Sequence, residues 1–192
     1  MQVAADAGQV LHDRDAELRQ LFGRSGTPSM DQYEYRIYAK TASLFQAATE
    51  STGHLLGFEG PSLDALTDFG RELGMAFQIA DDLLDFTGDP EVMGKPVGSD
   101  LRSGQVTLPA LLHLGDRPEA APWLRGAAAA PTGEALDRLV EAVRSDSAAL
   151  EATRAVAGER CARALAALDE LPPGRARDDL ARIADYVVAR NL

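Results

Sequence analysis

Three aspartates and a glutamine in FQIADDLLDFTGD, residues 77–89, are spaced so that they could hold a cation. On a helix turning about 100° per residue, Gln78, Asp81, Asp82 and Asp85 share one stripe. Leu66, Phe69, Leu73, Phe77, Ala80 and Leu84 occupy the other face. Neighbouring carboxylates repel each other, and near a helix C-terminus they also meet the unfavourable end of the macrodipole. A positive partner would offset both effects. Mg²⁺ is a natural candidate, because it takes oxygen ligands and is usually held by one or two carboxylates with phosphates and water completing the shell. The spacing fits that chemistry; it also fits a solvated acidic face.

The basic residues narrow the choice. Of 19 Lys and Arg only two are lysines, Lys40 and Lys95. Lys95 lies in the turn Gly94-Lys95-Pro96 just beyond the aspartates, among glycines that permit close backbone approach. An ammonium there suits a diphosphate, although a plain surface loop would also carry such glycines. Lys40 and Thr41 sit in an apolar helical pattern with Ile37, Ala39, Ala42 and Leu44. The Lys40 head must either snorkel to solvent or find an anion.

The elements that must position these groups read as helices. Gly/Pro-rich breaks occur at 23–29, 57–61, 87–100, 115–133 and 171–174, and no stretch alternates with period two. The expectation is an all-α fold, residues 1–192 as one domain. Helices are predicted over 2–22, 30–56, 62–86, 104–114, 132–153, 154–169 and 175–190. Ser29 and Gln32 form a capping box, and Ser62 is the expected N-cap of the aspartate helix. A net charge of −11 argues against general nucleic-acid binding. The single Cys161 excludes an intrachain disulfide framework and fits a reducing, cytoplasmic setting. No run approaches the roughly 20 apolar residues of a membrane span, and the N-terminus lacks a signal-peptide pattern. Cys161 and Tyr33, Tyr35 and Tyr38 read as packing residues, and Trp123 as a loop anchor. His12, His54 and His113 have no partner at metal-ligand spacing.

Together these segments resemble the C-terminal half of the trans-isoprenyl diphosphate synthase (polyprenyl synthetase) family. FQIADDLLDFTGD resembles its second aspartate-rich motif, FQxxDDxxD. GKPVGSDLRSGQVTLP resembles GKxxGxDLxxGKxTLP, RIYAKTASLF resembles the upstream Lys-Thr motif, and ADYVVARNL resembles the C-terminal tail. The resemblance implies an isoprenoid synthase-like helical bundle. It implies that Asp81, Asp82 and Asp85 hold Mg²⁺, with Asp81 foremost. It places Lys40, Lys95, Gln78 and Thr41 on an allylic diphosphate, as binding and catalytic residues, and Phe77 near isopentenyl diphosphate. The implied reaction is Mg²⁺-dependent head-to-tail condensation of those two substrates.

The sequence departs from the family in two ways. Gln105 stands where the family has a lysine. No first aspartate-rich motif is present; the nearest acidic pair, Asp13 and Asp15, points about 200° apart on a helix. Three readings follow: a synthase chain completed by another chain that supplies the first motif, a non-catalytic regulatory subunit, or an inactive fragment. A terpene cyclase-like domain fits less well, because the downstream metal motif of cyclases is missing. A C-terminal half alone is expected to expose the Phe69/Leu73/Phe77 and Ile37/Leu44 faces, and hence to form a homo- or hetero-oligomer.

Overall fold

The computed structural model describes residues 28–116 and 133–189. The expected helix over 2–22, the Asp13/Asp15 pair, His12, Trp123 and the last three residues lie outside the described residues. Among the described residues every regular element is helical, as the sequence pattern predicts. The order is α1 (Met30–Ile37), a π-helical turn (Tyr38–Ala42), α2 (Ser43–Leu55), α3 (Pro61–Thr87), α4 (Pro90–Met93), α5 (Ser99–Arg102), α6 (Leu108–Asp116), α7 (Glu134–Arg144), α8 (Ser147–Ala167), a 3₁₀ turn (Leu168–Glu170) and α9 (Arg175–Ala189).

The caps follow from the sequence. Gln32 N–H donates to Ser29 Oγ at 3.2 Å, and Ser29 N–H donates back to Gln32 Oε1 at 2.9 Å, closing the capping box. At α3 the expected Ser62 cap is replaced by Gly60, with Pro61 in the first helical position. Proline suits that position because its missing N–H would have no partner there. The break expected near 153 falls instead at Ser145–Asp146, where Asp146 Oδ1 accepts from Ala149 N–H and starts α8. Ala149–Ala167 then forms part of one long helix.

The aspartate helix α3 is the axis of the structure. It packs most extensively against α8 and α2, and is buried on nearly all sides. One apolar cluster joins Tyr33, Ile37, Ile79 and Phe86 to α6 and α7. A second joins Leu66, Phe69 and Leu73 to Cys161, Ala164 and Leu168. The α8 side of this contact is a strip of small residues, Ala149, Thr153, Ala157, Cys161 and Ala164, which lets the two helices approach closely. On the other side Gly70 and Gly74 admit α2: a Cβ on Gly74 would lie 2.5 Å from Ala42 Cα.

This packing corrects the expected exposed faces. Phe69 (1% exposed), Leu73 (4%) and Ile37 (2%) are core residues, because α6–α9 already cover them. Phe77 is half-buried, and Leu44 alone of those faces stays open at 53%. Cys161 is core, as expected, with its thiol 3.3 Å from the Ala184 carbonyl oxygen. His113 is not isolated: it is buried against Asp146, Nδ1 to Oδ2 2.8 Å. No described helix is long and apolar enough to cross a membrane.

Candidate functional site

The C-terminal half of α3 carries the polar stripe, and the three aspartates meet different surroundings. Asp82 is turned inward and is 2% exposed. The Tyr33 hydroxyl donates to its Oδ2 at 2.8 Å, and Gln78 Nε2 donates to its Oδ1 at 2.9 Å. Burial pushes its carboxyl up to about 7, against the pull of these two hydrogen bonds. Burial and the adjacent Asp82 in turn hold the Tyr33 phenol well above its usual range.

Asp85 is also buried, with a side chain 0% exposed. Its Oδ2 accepts from the Asp100 backbone N–H at 3.1 Å. Its Oδ1 has no aligned hydrogen-bond donor, and meets the Lys95 ammonium as an ion pair at 3.0 Å. Burial alone would lower the Lys95 pKa; the Asp85 carboxylate more than offsets it, and the net shift is upward. The loop that brings Lys95 here depends on Gly98. Its φ is +69°, a Cβ there would lie 2.7 Å from Val140, and its N–H donates to the Asp85 carbonyl at 2.9 Å.

Asp81 is half-buried, and its carboxylate has no hydrogen-bond or ion-pair partner among the described residues. Asp100 joins the group: burial raises its pKa, Asp85 and Asp81 add to that, and Lys95 and Lys40 oppose it. The acidic motif, the following loop and the Lys-Thr segment therefore converge electrostatically.

Lys40 is exposed, so its ammonium reaches solvent rather than the apolar pattern around it. It lies in the π-helical turn, a geometry frequent at functional sites. Thr41, next to it, donates its hydroxyl proton to Gln78 Oε1 at 2.7 Å. Thr41 is thus an acceptor toward anything beyond, and a phosphate oxygen would require the hydroxyl to rotate. Phe77 is tilted against Phe45 with ring centroids 5.5 Å apart. Gln105 is exposed.

Sequence reasoning missed Tyr33, Arg36 and Asp100. Arg36 donates to the Val106 carbonyl at 2.6 Å and stacks over the Tyr33 ring at 5.5 Å, pinning the end of the Lys95 loop to α1. Asp100 is visible in GSDL, within the motif already singled out. No sequence signal marks Tyr33, 49 residues from Asp82.

A metal must be weighed against this geometry. Among the described residues no three Asp, Glu, His or Cys side chains form a ready cage. Asp82 has both oxygens committed, which leaves Asp81 open and Asp85 shared with Lys95. One or two carboxylates with phosphates and water is the usual Mg²⁺ environment, so Asp81, with Asp85 behind it, fits that ion as a partial site. A cavity of about 530 Å³ lies elsewhere, between Tyr35, Tyr38, Arg71, Glu72 and Arg160. It contains none of these aspartates, and its buried Glu72 is already paired with Arg160 and Arg71.

Comparison with known proteins bears on this arrangement. Residues 5–143 match the family model described as polyprenyl synthetase. The chain is 38% identical over 195 residues to octaprenyl diphosphate synthase of Escherichia coli, covering 100% of this chain and 59% of that protein. It is 39% identical over 160 residues to heptaprenyl diphosphate synthase component 2 of Bacillus subtilis, covering 83% of this chain and 45% of that protein. Its fold matches heptaprenyl diphosphate synthase from Staphylococcus aureus with a TM-score of 0.89 at 28% identity, covering all of this chain and 59% of the other. It matches polyprenyl synthase from Caulobacter crescentus, solved with calcium and isoprenyl diphosphate, with a TM-score of 0.85 at 34% identity, covering all of this chain and 58% of the other. The chain thus spans about 59% of the length of the octaprenyl synthase it matches.

Proposed function

The chain belongs to the polyprenyl synthetase family, and we propose that it provides the diphosphate-binding wall of a Mg²⁺-dependent prenyltransferase. The reaction would join isopentenyl diphosphate head to tail with an allylic diphosphate. The allylic C–O bond breaks, a C–C bond forms, one proton is lost and diphosphate is released. The observation that carries this reading is Asp81, an unpartnered carboxylate in a group that also gathers both lysines of the chain.

Asp81, backed by Asp85, would hold the ion, and the ion would act as a Lewis acid on the diphosphate oxygens. The residues supply the rest. Lys40 offers an exposed ammonium to the same diphosphate, and Lys95 adds positive charge beside Asp85. Gln78 keeps one amide N–H for substrate while Asp82 and Thr41 fix its orientation. The apolar Phe77 and Phe45 rings would exclude water beside the reacting carbons.

These 192 residues contain no first aspartate-rich motif, so a complementary set of carboxylates from outside them would complete the site. The relative named as component 2 of a heptaprenyl diphosphate synthase supports operation alongside a second component. On that basis the partners are the two diphosphate substrates and a polypeptide supplying the first motif.

The test is prenyl transfer from labelled isopentenyl diphosphate with C5 to C20 allylic diphosphates and Mg²⁺. It is run with and without a polypeptide carrying the first motif. Product is expected only with that polypeptide, and to fall by orders of magnitude in Asp81→Asn with little change in melting temperature. Full activity of Asp81→Asn would sink the assignment. Mg²⁺-dependent diphosphate binding without product in any combination would leave a binding subunit.

A further inference from the structure

We propose that Tyr33 is a positioning residue of the diphosphate site: acting through Asp82, its hydroxyl fixes the orientation of the Gln78 amide that meets substrate. This rests on the reading of the site given above, and it adds a residue that the motif does not contain.

Tyr33 lies on α1, seven residues before Lys40, and is 1% exposed. A buried phenol that only filled space would leave its hydroxyl without a partner, at a cost of about 1–3 kcal/mol. Here the hydroxyl begins a chain of three hydrogen bonds. Tyr33 donates to Asp82 Oδ2 at 2.8 Å, Gln78 Nε2 donates to Asp82 Oδ1 at 2.9 Å, and Thr41 donates to Gln78 Oε1 at 2.7 Å. The polarity of the chain is set at both ends. A flipped Gln78 would press its amide oxygen against the Asp82 carboxylate, and would leave the Thr41 hydroxyl without an acceptor.

Asp82 is the joint of this chain. Both of its oxygens are used, one by Tyr33 and one by Gln78, so turning toward a cation would break one of the two bonds. Its work is therefore directed inward, onto Gln78. The Tyr33 ring is held in turn by the Arg36 guanidinium at 5.5 Å, which also donates to the Val106 carbonyl at 2.6 Å. One tyrosine thus ties together α1, the aspartate helix and the end of the Lys95 loop.

Tyr33→Phe removes the donor and keeps the ring. It is compared with Gln78→Ala and the double variant, each in the full 192-residue chain. The first readout needs no ligand: the side-chain amide signal of Gln78 in ¹⁵N-labelled protein, identified by its loss in Gln78→Ala. It is expected to be rigid in the parent and mobile in Tyr33→Phe. The second is calorimetric binding of inorganic diphosphate with Mg²⁺. Tyr33→Phe is expected to weaken it about tenfold, and to add no penalty in the Gln78→Ala background, since the tyrosine acts through that amide.

An equally rigid amide in Tyr33→Phe, or the same binding penalty in both backgrounds, would overturn the proposal in favour of packing alone. If the parent chain binds no diphosphate with Mg²⁺, the functional reading fails while the amide dynamics still decide the role of Tyr33. Should Tyr33→Phe not fold, Asp82→Leu probes the same link: it nearly keeps the volume, removes both acceptor oxygens and is expected to free the same amide.

Discussion

Gly74 and Gly158 are both helical glycines, and the same substitution should move stability in opposite directions at the two sites. At Gly74 an added Cβ would lie 2.5 Å from Ala42 Cα, 3.0 Å from Ala42 Cβ and 3.1 Å from Phe45 Cβ. Carbon atoms prefer about 3.5–4.0 Å, so α2 and α3 must part by roughly 1 Å. The nearest obstacle is backbone and cannot rotate away, which puts the strain near the upper end of the usual overpacking range, about 3 kcal/mol. Alanine returns about 1 kcal/mol of helix propensity. The net loss for Gly74→Ala is then about 2 kcal/mol, a fall of about 4–8 °C in melting temperature for a chain of this size. At Gly158, within α8, a Cβ meets nothing within 4 Å. Gly158→Ala should therefore gain about 1 kcal/mol, a rise of about 2–4 °C. Thermal melts of both variants in one buffer decide the matter. Because Ala42 neighbours Thr41, Gly74→Ala should also weaken Mg²⁺-dependent diphosphate binding. Equal stabilisation by both substitutions would refute the close approach of α2 and α3.

Two further outcomes follow from buried groups. Asp82 carries a folded pKa of about 7 against an ordinary value of 3.8, so between those values the folded protein holds one more proton than the unfolded chain. This contribution to stability is full in acid and is lost as pH rises through about 7. Metal-free melting curves from about pH 5 to pH 8 should show this decline relative to Asp82→Asn, and parallel profiles for the two proteins would remove Asp82 as its source. Burial raises the Cys161 thiol, and the sulfur lies against the Ala184 carbonyl. Iodoacetamide should therefore label it at a rate that follows unfolding in urea, and rapid labelling of the native chain would contradict the packing of α8 against α9.

Local patterns were legible in the sequence, and contacts between distant segments were not. The Ser29–Gln32 capping box and the long helix under the aspartates are set by neighbouring residues and stand as the pattern predicts, whereas the helix expected over 104–114 starts at Leu108. The break at Ser145–Asp146 was missed because Asp146 serves two purposes: it caps α8 and pairs with His113, 33 residues earlier. Burial of the Phe69 and Leu73 face was missed because helical periodicity identifies an apolar face without naming what covers it. The inward turn of Asp82 depends on Tyr33, on another helix, and no spacing rule joins the two.

That inward turn changes what the motif itself can be taken to mean. Two of its three aspartates serve the fold as well as any ligand. Asp82 joins α1 to α3, and Asp85 secures the Lys95 loop through its ion pair and the Asp100 N–H. Removing one partner of such a buried contact leaves the other polar group unsatisfied, at about 1–3 kcal/mol, so these two residues have a structural part whatever they do for a ligand. Their presence therefore speaks for the architecture as much as for chemistry. Asp81 differs. It has no hydrogen-bond or ion-pair partner among the described residues, and it lies near Asp85 and Asp100, with Lys95 the positive charge that bears on it. In the function proposed above, a cation would add positive charge at this carboxylate. Asp81→Asn is thus the substitution that separates a binding site from a structural motif: loss of Mg²⁺-dependent diphosphate binding with melting unchanged or raised follows from a site, and unchanged binding follows from architecture alone.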